Sequence, residues 1–108
     1  MVYSLLEVVS AQFTTVATTG DAATGIGKYL GAGVVGTKVY FVPCYQNNVG
    51  MVDTGTNAFS TVATTGDAAT AIDKYSSGAA VVDTQVHFAP VMQNNVGIFD
   101  TGTSWAPC

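Results

Sequence analysis

Two copies of one tripeptide offer the chain's most obvious chemistry. Asp53-Thr54-Gly55 and Asp100-Thr101-Gly102 each spell the Asp-Thr-Gly of acid proteases, where two such carboxylates touch, share one proton and activate a water. Each copy follows the same lead-in, Gln-Asn-Asn-Val-Gly and two apolar residues, and the matching place near the N-terminus holds Glu7 without Thr-Gly. A strand-ending Asp that closes a turn with its side chain, followed by Gly in a left-handed conformation, accounts for the motif by turn chemistry. Asp53, Gly55, Asp100 and Gly102 are therefore read as turn residues. A dimeric protease with one Asp-Thr-Gly per chain stands as a remote alternative.

The other polar candidates are sparse. Asn47, Asn48, Asn94 and Asn95 fall on turns at one rim of the sheet, where amides can bind a glycan or a calcium ion, or simply make a tight hairpin. They are the candidate ligand-binding residues, and too few carboxylates lie near them to specify a metal. His87 is the single histidine, without a second histidine or a nucleophile signature to make it a base. Lys28 and Lys74 each precede a tyrosine, and are expected to lay their stems over its ring or to pair with Asp21 and Asp67. The glycines of 25–33 hint at a phosphate loop, but Gly25 and Gly27 become Ala71 and Asp73 in the second copy and no Gly-Lys-Ser/Thr follows. Cys44 and Cys108 could pair, but without metal-ligand spacing they read as two ordinary thiols. No catalytic residue, cofactor or metal is assigned.

Composition narrows the class. The 108 residues suit one small domain, 48% of them are hydrophobic and only 9% charged. So low a charge leaves little sequence suited to a fully solvated surface and points to partners. Three cations against seven acids provide no basic stripe for phosphate neutralisation, which argues against nucleic-acid binding. No apolar run reaches the ~18 residues of a membrane span, and the N-terminus lacks the pattern of a signal peptide, so "MVYSLLEVV" is expected to belong to the fold.

An internal repeat organises these residues. Phe13 to Tyr29 returns 46 residues later as Phe59 to Tyr75 with 14 of 17 positions identical, and Val34 to Thr56 returns 47 residues later as Val81 to Thr103 with 15 of 23. Over residues 36–44 the mismatches of the second block fall at every second residue: Gly36/Asp83, Lys38/Gln85, Tyr40/His87, Val42/Ala89 and Cys44/Val91. The intervening Val39, Phe41 and Pro43 recur unchanged as Val86, Phe88 and Pro90 and form the expected repeat core. A period of two marks a strand with one constant and one variable face. Strands are predicted before residue 35 and over 37–44, 49–53 and 58–64, with the "GDAAT" segments as loops containing about one helical turn. Four short strands in one repeat fit a propeller blade.

These motifs, Lys28-Tyr29, Phe41-x-Pro43, Gln46-Asn47-Asn48-Val49-Gly50, Asp53 and their second copies, resemble the propeller-type repeats found in long arrays in algal, other protist and bacterial proteins. The resemblance covers about residues 13 to 105. It implies an all-β fold of about two propeller-like blades of four-stranded antiparallel sheet in an incomplete ring: a partial blade over 1–19, blade 1 over 30–65 and a truncated blade 2 over 76–108, in one domain. Blades bury their faces on neighbours, so an unclosed pair needs other protein subunits or further copies of itself. The expected role is a non-catalytic structural or protein-interaction subunit of a larger complex. The algal resemblance implies a plastid setting, such as a photosynthetic membrane complex on which a chain without its own transmembrane segment would sit. The alternative is a self-assembling ring that binds a carbohydrate or small ligand at its Asn turns.

Overall fold

A computed structural model describes residues 11–102, without the side chains of Asp67 and Ser77. Within this range lie strands β1 (Tyr29–Val35), β2 (Lys38–Pro43), β3 (Asn48–Asp53), β4 (Ala58–Ala63), β5 (Tyr75–Val82), β6 (Gln85–Pro90) and β7 (Gly97–Asp100). They form two antiparallel sheets, ordered β1-β2-β3-β4 and β5-β6-β7, and neither closes into a barrel. The fold is all-β and consistent with two incomplete blades. Strand boundaries fall within a residue or two of those read from the repeat.

Turn chemistry sets these boundaries. Gly36 (φ 62°) and Asp83 (φ 53°) take the left-handed conformation between the first two strands of each sheet, a conformation that Gly adopts freely and Asp tolerates. The "GDAA" segments form single 3-10 turns, Gly20–Ala23 and Gly66–Ala69. Each is tied by a threonine hydroxyl that donates to a carbonyl four residues on, Thr18 to Ala22 (3.1 Å) and Thr64 to Ala68 (2.7 Å). The segment from Thr64 to Lys74 carries the chain from the outer strand of the first sheet, β4, to β5, which lies against β1.

The core lies between the sheets, and the period of two decides which residues enter it. Tyr40, Val42, Val49 and half-buried Met51, on the variable face of the first sheet, meet Tyr75, Val86, Phe88 and half-buried Phe99 on the constant face of the second. The Tyr40 and Phe99 rings pack with centroids 5.4 Å apart, a favourable tilted contact. Gly33 permits the close approach of the inner strands: a Cβ there would stand 3.0 Å from Val81 Cγ2 and 3.1 Å from the Ala79 methyl.

The expected repeat core is thus buried asymmetrically. Val86 and Phe88 are buried, whereas Val39 and Phe41 are half-buried because the constant face of the first sheet looks outward. Pro43 is buried but Pro90 is exposed, a correction to its assignment as a core residue. Pro43 precedes Cys44, on which the Asp73–Lys74 segment folds, with the Lys74 amide donating to the Cys44 carbonyl at 3.0 Å. No described segment folds on Val91 in the same way. Of the partial blade expected over 1–19, residues 1–10 lie outside the described range, and residues 11–19 form no strand.

Candidate functional site

The most built polar site joins the two sheets. Lys74, at the entry to β5, is fully buried, and its ammonium donates to the Gln46 carbonyl at 2.9 Å, the Tyr45 carbonyl at 3.3 Å and Asn47 Oδ1 at 2.8 Å. Three donors meet three acceptors, which is the condition for burying an ammonium at tolerable cost. Burial still pulls the Lys74 pKa below its ordinary value. The neighbouring Asp73 lies in the left-handed region (φ 45°) and turns its carboxylate to the Tyr45 hydroxyl at 3.5 Å and the Cys44 thiol at 3.7 Å. Burial, then the Asp73 charge, push the Cys44 thiol up, so this buried free thiol is held in its unreactive form. Asp73 also raises the Tyr45 pKa.

The tyrosine of each Lys-Tyr pair has a different task, inside its own sheet. The Tyr29 hydroxyl donates to Asn48 Oδ1, and the Tyr75 hydroxyl donates to Asn95 Oδ1 at 2.7 Å. To reach them the rings cross Gly50 and Gly97, where a Cβ would stand 2.8 Å from Tyr29 Cζ and 2.9 Å from Tyr75 Cζ. Each ring also packs on its repeat's phenylalanine, Tyr29 on Phe41 at 5.8 Å and Tyr75 on Phe88 at 5.6 Å. The recurring Tyr, Phe, second Asn and Gly are thus parts of one packing unit. Burial raises the Tyr29 pKa to about 12 and moves that of Tyr75 in the same direction.

This geometry gives the four candidate asparagines distinct surroundings. Asn47 accepts from Lys74, and Asn48 and Asn95 accept from tyrosines; Asn47, Asn94 and Asn95 are all exposed. The Asp-Thr-Gly carboxylates close local turns, Asp53 Oδ1 accepting from Gly55 N and Asp100 Oδ1 from Gly102 N, each at 2.9 Å. Gly102 is left-handed (φ 72°), but in the first repeat the left-handed residue is Asn57 (φ 61°) rather than Gly55. The Gly102 amide, with smaller help from Gln85 and Thr84, lowers the Asp100 pKa. His87 is half-buried opposite Ile98 of β7. Among the described residues no three His, Cys, Asp or Glu side chains cluster to hold a metal, and no helix is long and apolar enough to cross a membrane.

Between the sheets opens a cleft of about 270 Å³, lined by Val49, Thr64, Thr65, Tyr75, Phe88 and Ile98 among others. Its lining includes neither the Asn turns nor either Asp-Thr-Gly carboxylate. The site missed by sequence reasoning is the contact of Lys74 with the preceding repeat. Its signal was the recurrence of Lys-Tyr and Gln-Asn-Asn in both copies, which shows that the two motifs belong together without showing that one of the contacts crosses between repeats. In comparison with known proteins, no family model, no curated protein and no solved structure matches this chain.

Proposed function

We propose that the chain is a non-catalytic protein-interaction module, a structural subunit whose working surfaces are the two outward faces of its sheets. One observation carries the proposal: apolar side chains of the kind buried between the sheets stand open on both outer sides. On the first sheet these are half-buried Val39, Phe41 and Val52 with exposed Val34; on the second they are exposed Val91, Val96 and Ile98. Val96 and Ile98 are 56% and 57% exposed, whereas their first-repeat counterparts Val49 and Met51 are 3% exposed and half-buried. Apolar patches of this sort on small domains are typical of docking surfaces.

A structural role also accounts for the polar groups with the strongest internal engagement. Lys74, Asn47, Asn48 and Asn95 hold the sheets and turns together, and each Asp of the Asp-Thr-Gly tripeptides is engaged by the amide of its own turn. The repeat resemblance extends the proposal to a plastid membrane complex as the setting. Recovery of the untagged protein from its source under gentle conditions tests the role. Comigration with a larger assembly, abolished by Val96→Asp with Ile98→Asp, is the expected result. Migration as a free chain in every fraction, or acid proteolysis abolished by Asp100→Asn, would overturn it.

A further inference from the structure

We propose that the partner of these faces is a second copy of the chain, bound head to tail by a repetition of the contact that joins the two sheets. The inference rests on the interaction reading above and names its partner.

The internal interface is a template with two halves. The receiving half is the variable face of the first sheet with the Cys44–Asn47 turn, and the inserting half is the constant face of the second sheet with Asp73, Lys74 and Tyr75. Because the repeats are nearly identical, each half exists a second time, and no described residue covers it. Lys28 is the counterpart of Lys74, and among the described residues its side chain has no hydrogen-bond or ionic partner. Asn94 is the counterpart of Asn47, and no described lysine meets it as Lys74 meets Asn47. Beside it, Gln93 Nε2 is buried and has no hydrogen-bond partner among the described residues.

Substitutions between the repeats match across this second pair of halves. Gly27 replaces Asp73 on the inserting side, while Val91 and Met92 replace Cys44 and Tyr45 on the receiving side. The carboxylate and its two donors are lost together, and docking therefore strands no buried charge. The ammonium and its amide, Lys28 and Asn94, are retained on opposite halves. His87 and Val52 replace the stacked Tyr40 and Phe99, so the aromatic contact is absent on both sides. The exception is Ala80 in place of Gly33, whose methyl requires the inner strands of two copies to stand a few tenths of an ångström further apart than β1 and β5. An interface between different surfaces propagates until it closes, and propeller rings of roughly 4 to 8 blades correspond to about two to four copies.

The test uses sedimentation of the full chain and two single variants, Lys28→Met and Asn94→Leu, each blocking one half at an accessible position. The wild type is expected as a discrete assembly of two to four chains, and each variant alone should dissociate at least tenfold more readily with an unchanged circular dichroism spectrum. An equimolar mixture of the variants should form a two-chain complex and stop there, because each retains the half that the other lacks. A wild type that remains monomeric, or an assembly indifferent to both variants, overturns the proposal. If such a monomer nevertheless comigrates with other proteins at source, the second copy is wrong and the interaction reading stands; if it is free at source as well, both fall.

Discussion

Lys28 and Lys74 occupy the same place in two repeats, precede the same tyrosine, and meet different surroundings. Lys74 is fully buried and makes three hydrogen bonds to the preceding repeat, whereas Lys28 is half-buried with no side-chain partner among the described residues. The same holds upstream. Phe59 lies in β4, paired with Val52 and half-buried, whereas its counterpart Phe13 is 91% exposed in a segment that forms no strand. Local sequence is close to constant in these pairs, so propensity is not what differs. What differs is the surroundings: β4 pairs with β3, and the buried ammonium of Lys74 lies on the preceding repeat.

Substituting each lysine breaks the comparison most directly. Lys74→Met should cost about 3 kcal/mol in denaturant unfolding, because it leaves the Tyr45 and Gln46 carbonyls and the Asn47 amide without their buried donor. Lys28→Met should cost under about 0.5 kcal/mol in the isolated chain, as expected for a side chain that has no partner to lose. Equal costs for the two would refute the distinction.

The crossing glycines give the next largest effect. Gly97→Ala sets a methyl 2.9 Å from both Phe88 Cδ2 and Tyr75 Cζ, two buried rings, and should cost about 2–3 kcal/mol. Gly50→Ala meets the half-buried Tyr29, which can move outward, and should cost about 1 kcal/mol less by the same measurement. A reversed order would mean that the outward face of the first sheet is as tightly packed as the inter-sheet core.

Alkaline titration sharpens the account of the tyrosines. With the folded Tyr29 pKa at about 12 and its unfolded value near 10, the unfolded chain releases its proton first. The stabilisation from Tyr29 is therefore complete below pH 10 and lost as pH rises towards 12, with Tyr75 acting in the same direction. Tyr29→Phe should flatten part of that fall in stability measured against pH. The smallest effect belongs to Asp100, whose lowered pKa contributes stability above its unfolded value and loses it as pH falls through the folded one. Asp100→Asn should remove that small acid-side slope.

Much of this was legible in the repeat. Alternating mismatches located the strands and separated Val39, Phe41 and Pro43 from Tyr40, Val42 and Cys44, because a pleated strand sends successive side chains to opposite faces. Which face would be buried was not legible, since that depends on the side from which the next sheet arrives. Pro90 was misplaced because no described segment covers it, although it shares the buried constant face with Val86 and Phe88, and Lys74 was assigned to its own tyrosine or an aspartate when its acceptors lie 27 to 29 residues away in the preceding repeat. The asparagines look alike in sequence, yet Asn47 holds Lys74 of the next repeat while no described lysine meets its counterpart Asn94.

The sequence contains three basic side chains, Lys28, Lys38 and Lys74, so the central claim is open to one direct measurement: proton exchange of the lysine ammonium groups followed by NMR on ¹⁵N-lysine-labelled protein over a dilution series. In dilute samples the Lys74 ammonium should exchange slowly, with Lys28 as fast as exposed Lys38, and Lys28 should join Lys74 in protection as the concentration rises and copies assemble. A Lys74 ammonium that exchanges as fast as that of Lys38 at every concentration would contradict the account.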